Sequence, residues 1–149
     1  MNRHAFRIER DIPATAERCF LYWSDPKLLS MWWGPKDESG RPFAAHHVDW
    51  RPHVQAGWRI GMRAPDGTEH WHEGEFLLVD PGRALEFTAH WVQGGERTGV
   101  TRISMQLSAA SESSRLCFAQ SGFSDQAECD GHEEGWQECL DRLVECLRP

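Results

Sequence analysis

The sequence predicts an α+β fold: a curved antiparallel sheet wrapped around one long C-terminal helix, with two short helices after the first strand. Three observations predict it. The chain opens on a strand pattern followed by two short helical patterns. Its middle is a run of about six segments with strand character separated by turn signals, and its end switches to helical spacing. One antiparallel sheet of that size has one apolar face to cover, and the final helix is the only element long enough to cover it.

Phe6-Arg7-Ile8-Glu9-Arg10 alternates apolar and charged residues, as a half-buried strand does, and Pro13 ends it. Ala16 to Trp23 reads as a short helix, with Phe20 and Trp23 three apart on one face. Asp25 can cap a second helix with Pro26 at its first position; Gly34-Pro35 stops it after about Trp32-Trp33. Strands are then expected at about Ala44–Arg51, Trp58–Arg63, Glu69–Val79, Ala84–Trp91, Thr98–Leu107 and Leu116–Ser121. Pro65-Asp66-Gly67-Thr68, Asp80-Pro81-Gly82 and Gly94-Gly95-Glu96 supply turns between them. In Leu85-Glu86-Phe87-Thr88-Ala89-His90-Trp91 the odd positions are apolar, which buries one face. Thr101, Ile103, Met105 and Leu107 repeat the pattern. Trp136, Leu140, Leu143, Val144 and Leu147 follow helical spacing, so one amphipathic helix is expected over roughly Asp130–Leu147.

Length and charge narrow the function. At 149 residues, 1–149 is expected to form a single domain with room for an internal pocket. The formal charge of -7 and the lack of any Lys/Arg block argue against nucleic acid and against an anionic membrane surface. No apolar run is long enough to span a bilayer, and Met1 to Phe6 lacks the apolar core of a signal peptide. A cytoplasmic location is the expectation. The five cysteines, Cys19, Cys117, Cys129, Cys139 and Cys146, contain no CxxC and are expected as free thiols. Catalytic constellations are weak, since nucleophile elbow, P-loop and HExxH are all absent, and no cofactor is expected.

The outlier is eight Trp beside one Tyr, together with eight His. Indole and imidazole both combine flat bulk with a polar handle, which suits a pocket wall as well as ordinary packing.

Several strings carry a resemblance. Trp23-Ser24-Asp25-Pro26-Lys27-Leu28-Leu29 runs into Trp32-Trp33-Gly34-Pro35, then come Gly57-Trp58-Arg59 and Met62 to Thr68. Gly74-Glu75-Phe76 to Asp80-Pro81, Leu85 to Thr88, Ser121-Gly122-Phe123, and His132-Glu133-Glu134-Gly135-Trp136 to Leu143 follow in order. Together they resemble the SRPBCC (START-like, helix-grip) superfamily, and within it the activator of Hsp-90 ATPase homologue 1-like branch. The resemblance covers nearly the whole chain and implies the helix-grip fold with a cavity between sheet and helix. Its members bind diverse ligands, so it specifies fold more than function. Two departures fall on strands expected to line or rim that cavity. The segment Arg51 to Gly57 is longer than the tight turn usual in relatives, and Ala44 to Trp50 and His70-Trp71-His72 are rich in His.

Candidate ligand-binding residues are Trp33, Trp58, Trp71, Trp91 and Trp136, with Phe87 and Phe118, which can approach the space between sheet and helix. His47, His72, His90, Arg59 and Gln120 are candidates for placed polar groups, although a single bulge would reverse any strand assignment. His132 lies four residues before Trp136 on one helix face, near the expected cavity mouth. His70 and His72, two apart, face one side of a strand, where His47, His90, Glu73 or Asp49 would have to complete a metal set; no metal is expected. Adjacent His46 and His47 cannot serve one site without a bulge. The leading expectation is the binding of a small, largely hydrophobic or aromatic molecule. The alternative is a pocket enzyme of the cyclase or dehydratase type, in which Asp49, Glu73 or Glu75 beside a buried His performs acid–base chemistry. The third reading is a chaperone-regulating interaction module. The eukaryotic activator carries a further anchoring domain for which 149 residues leave no room, so a stand-alone pocket is preferred. A homodimer is compatible with the sequence but not specified by it.

Overall fold

The computed structural model describes residues 4–149, so Met1–Arg3 of the N-terminal stretch considered above lie outside the described residues. The chain runs β1 (His4–Ile12), α1 (Ala16–Ser24), α2 (Pro26–Leu29), β2 (Ala44–Asp49), β3 (Gly57–Arg63), β4 (Glu69–Asp80), β5 (Ala84–Gln93), β6 (Glu96–Arg97), β7 (Thr101–Ala110), β8 (Ser113–Phe123) and α3 (Gln126–Leu147). The strands form one antiparallel sheet in the order β1-β8-β7-β5-β4-β3-β2, with the two-residue β6 paired to β5. This is the helix-grip arrangement expected from the element order.

Local chemistry sets the helix starts. Thr15 Oγ1 accepts from Arg18 N–H to open α1. Asp25 Oδ1 accepts from Lys27 and Leu28 N–H to open α2, with Pro26 behind it. α2 stops at Leu29, earlier than expected, and Trp32 and Trp33 instead close turns onto the Leu29 carbonyl. α3 starts four residues before the expected Asp130. Asp125 caps Glu128 N–H, and Glu128 accepts from Ser124 Oγ and N–H, which satisfies a polar first turn without apolar spacing.

α3 buries Cys129, Trp136, Cys139, Leu140, Leu143 and Leu147. Each large apolar side chain on that face contributes about 1.5–3 kcal/mol of burial. Arginines fix its position. Arg10 of β1 bonds Asp141 and Gln137, Arg18 of α1 donates to the Leu147 carbonyl, and Arg142 donates to the carbonyls of Met31, Gly34 and Phe43. The last set pins the segment between α2 and β2 against the helix.

One end of the interior is filled by indoles. Trp50 makes edge contacts with Trp58, Phe76 and Phe87, and Trp33 packs on Trp32, Trp50 and Trp58. Trp32 donates to the Tyr22 carbonyl and Trp50 to the Trp23 carbonyl, so these buried N–H groups are matched. Trp58 donates to the Thr88 carbonyl at 3.1 Å, taking the place of a ladder bond between β4 and β5. Gly74 makes room for this, since a Cβ there would lie 1.7 Å from the Thr88 oxygen.

Candidate functional site

Strand alternation decides which side chains reach the interior. In the paired rows Ile60–His72–Trp91 and Met62–His70, the side chains face α3. In the adjacent row, His47–Gly61–Trp71, they face the opposite surface. A register shift between Ala45 and His47 then brings the rings of both His46 and His47 to Trp71, at 5.6 and 5.4 Å. Trp71 lies over Gly61, where a Cβ would meet its ring at 2.7 Å, and the Arg59 guanidinium stacks on it at 4.0 Å. Trp71, His47 and Arg59 therefore sit on the outer face, away from the space between sheet and helix.

That space holds a cavity of about 360 Å³, within the range of small-molecule pockets. The sheet supplies Met62, His72 and Trp91, and the segment after α2 supplies Trp33, Gly34 and Pro35. α3 supplies Ala127, Gly131 and Gly135 at four-residue spacing, with Glu128, His132, Trp136 and Cys139 beside them. A Cβ at Gly131 would meet nothing within 4 Å, and one at Gly135 only Pro35 at 3.9 Å. Along the Ala127–Gly131–Gly135 line the helix presents little side chain to the cavity, between the side chains of His132, Trp136 and Cys139.

The mouth is built from aromatic pairs. His72 stacks on Trp91, with centroids 4.0 Å apart and planes 3° from parallel. The Trp91 indole donates to His132 Nε2 at 2.9 Å, and His132 Nδ1 lies 2.8 Å from the Glu128 carbonyl. An indole only donates and a carbonyl only accepts, so this geometry assigns His132 the neutral tautomer with its proton on Nδ1. His72 is 3% exposed, and its Nδ1 has no hydrogen-bond partner. Burial above all, then the neighbouring His132 and His90, push its pKa down from 6.5 to about 3. It is a neutral imidazole at physiological pH. Burial pushes the Cys139 thiol up to about 12, so it stays protonated.

Of the candidates read from sequence, Trp33, His72, Trp91, His132 and Trp136 converge on the cavity. Trp58, Phe87 and Phe118 lie in the layer behind it: Trp58 is 5.1 Å from His72 and 5.7 Å from Phe87, and Phe118 is 4.4 Å from Trp136. Gln120 is buried, donates to Thr101 Oγ1, and is not on the cavity wall. His90 pairs with Glu73, which also binds Arg59, on the outer side of the sheet. The Glu–His pair that acid–base chemistry needs is therefore present, but on the other face. His70 and His72 do share the inner face, and among the described residues no three His, Cys, Asp or Glu side chains converge as a metal set. Sequence reasoning missed Gly34, Pro35, Met62, Ala127, Glu128, Gly131, Gly135 and Cys139 as wall residues. The signal for two of them was available: two glycines four apart inside a helix are unfavourable unless space requires them.

No helix among the described residues is long and apolar enough to cross a membrane. No curated protein matches the chain. Among solved structures it is similar to protein CV1439 from Chromobacterium violaceum, at 24% identity and a TM-score of 0.85 over 98% of both chains. It is similar also to the AHSA1 protein SPO3351 from Silicibacter pomeroyi, at 23% identity and a TM-score of 0.85 over 96% of both chains. A protein from Arthrobacter aurescens is 25% identical, with a TM-score of 0.81 over 97% of this chain and 86% of its own. The profile of the family described as "Activator of Hsp90 ATPase homolog 1-like protein" matches residues 13–148. With that match over nearly its whole length, the helix-grip sheet around α3 and the ordered strings from Trp23 to Leu143, the chain belongs to the activator of Hsp90 ATPase homolog 1-like family of the SRPBCC superfamily.

Proposed function

We propose that the protein binds a small, largely apolar and flat molecule in the cavity between the sheet and α3. The observation that carries this reading is the Ala127–Gly131–Gly135 face of α3, held open opposite the stacked His72–Trp91 pair. Helical glycine is about 1 kcal/mol less favourable than alanine, so two of them on one cavity face mark space kept at the expense of stability. Trp33, Trp91 and Trp136 supply flat contact area, and His72 supplies a polar group that lacks a partner. A binding role fits this wall better than acid–base turnover. Glu128 is its one carboxylate, and that carboxylate is engaged by Ser124.

The test is a titration with N-phenyl-1-naphthylamine, an uncharged apolar dye that fluoresces when taken out of water. Saturable one-to-one enhancement is expected in the native protein and its loss in Gly131→Leu, which fills the hollow while improving helix propensity. Equal enhancement in a folded Gly131→Leu protein would place the dye elsewhere and refute the reading.

A further inference from the structure

We infer that this cavity discriminates against anionic ligands and favours those carrying one hydrogen-bonding group, with His72 as the residue that recognises that group. The inference rests on the pocket reading above and specifies its ligand class. Its ground is a polar inventory of the wall. Among the described residues, no Lys or Arg lines the cavity. His132 has both ring nitrogens engaged, one by the Trp91 indole and one by the Glu128 carbonyl. The Trp91 N–H is committed to His132, and the Glu128 carboxylate to Ser124. Among the ionisable side chains of the wall, that leaves His72 as the nitrogen base without a partner: neither ring nitrogen is hydrogen-bonded among the described residues, Nδ1 is enclosed by protein so that Nε2 is the nitrogen open to a ligand, and the ring is clamped between Trp91, Trp58 and Trp33.

A neutral imidazole offers one donor and one acceptor, so it can match a hydroxyl, a carbonyl or an amide. It cannot neutralise a carboxylate. An anionic ligand would leave water without a countercharge and would approach Glu128, the only formal charge on the wall among the described residues, which is also negative. Discrimination here arises from what the wall withholds as much as from what it offers.

The experiment uses calorimetric titration of the native protein at pH 7.5 with three probes of one shape: 1-naphthol, naphthalene and 1-naphthoate. The naphthol is expected to bind about tenfold more tightly than naphthalene, the gain of one buried hydrogen bond matched. The naphthoate is expected to bind at least about tenfold more weakly than the naphthol. In His72→Phe, which keeps a flat ring but removes both nitrogens, the naphthol should lose its advantage over naphthalene. Naphthoate binding as tightly as naphthol would overturn the charge selection and leave the pocket standing. A naphthol advantage that survives in His72→Phe would overturn the assignment to His72. If none of the three probes binds, the pocket reading falls, and the ligand class falls with it. The naphthol–naphthoate comparison needs only the native protein, so it decides the charge selection even if His72→Phe does not fold.

Discussion

The two ends of the space between sheet and helix are built from the same residue types and do opposite things. At the filled end Trp23, Trp32, Trp33 and Trp50 are essentially inaccessible, and Trp50 and Trp58 close the interior against Phe76 and Phe87. At the open end Trp91 and Trp136 face a cavity of about 360 Å³. An excess of indoles does not by itself make a pocket. α3 differs along its length in the same way: it buries Leu140, Leu143 and Leu147 in the core, and it lines the cavity along Ala127, Gly131 and Gly135. Trp33 belongs to both ends, since it packs on Trp50 and lines the cavity beside Trp136.

Substitutions at the two ends should therefore differ in sign. The largest effect is expected for Trp50→Ala, which empties the filled end and orphans the Trp23 carbonyl; a loss of about 3–5 kcal/mol is expected in urea unfolding. Gly74→Ala drives a methyl into the Thr88 carbonyl beneath the Trp58 indole, and a loss of about 1–3 kcal/mol or more is expected in the same assay. A loss under half a kilocalorie there would mean that the β4–β5 gap is not what seats Trp58.

His72 ties stability to pH. Its folded pKa, about 3, lies below the ordinary 6.5, so the unfolded chain binds a proton that the folded one refuses. The neutral ring's contribution is complete above about pH 6.5 and is lost as pH falls toward 3. The slope from this one group is at most about 1.4 kcal/mol per pH unit. Unfolding free energies measured between pH 7 and 5 should fall less steeply in His72→Phe than in the native protein; identical slopes would show that His72 takes up a proton without cost in the fold. The smallest effect belongs to the open end. Gly131→Ala adds a methyl to empty space and improves helix propensity, so it should raise stability by up to about 1 kcal/mol while crowding the cavity. A destabilised Gly131→Ala protein would show that this helix face is packed.

Much of this architecture was legible in the sequence. Period-two alternation in Leu85 to Trp91 gave β5 its inward face, and the spacing of Trp136, Leu140, Leu143 and Leu147 gave α3 its apolar stripe. The apolar period alone does not show the start of α3; its signal is the capping pair Asp125 and Glu128, three residues apart, which hold a first turn without that period. The ligand residues divided along strand parity. His72 and Trp91 fall on the inner face, and so does the neighbouring His70. Trp71 stands between two inward residues and must face out, where Gly61 leaves a flat bed for it. His46 and His47 needed the bulge after Ala45, which no residue type announces. The glycines of α3 are visible as letters, but the apolar spacing that marks the helix passes over them. A cavity is defined by absent side chains, and patterns of present ones do not draw it.

The difference in access between the two ends can be read directly from the eight indole N–H signals in a ¹H–¹⁵N spectrum titrated with 1-naphthol. The signals of Trp33, Trp91 and Trp136 should move with one saturating isotherm. Those of Trp23, Trp32 and Trp50, packed in the filled end, and of Trp71, on the outer face, should stay in place. Shifts centred on Trp71, or spread evenly over all eight, would contradict that difference in access.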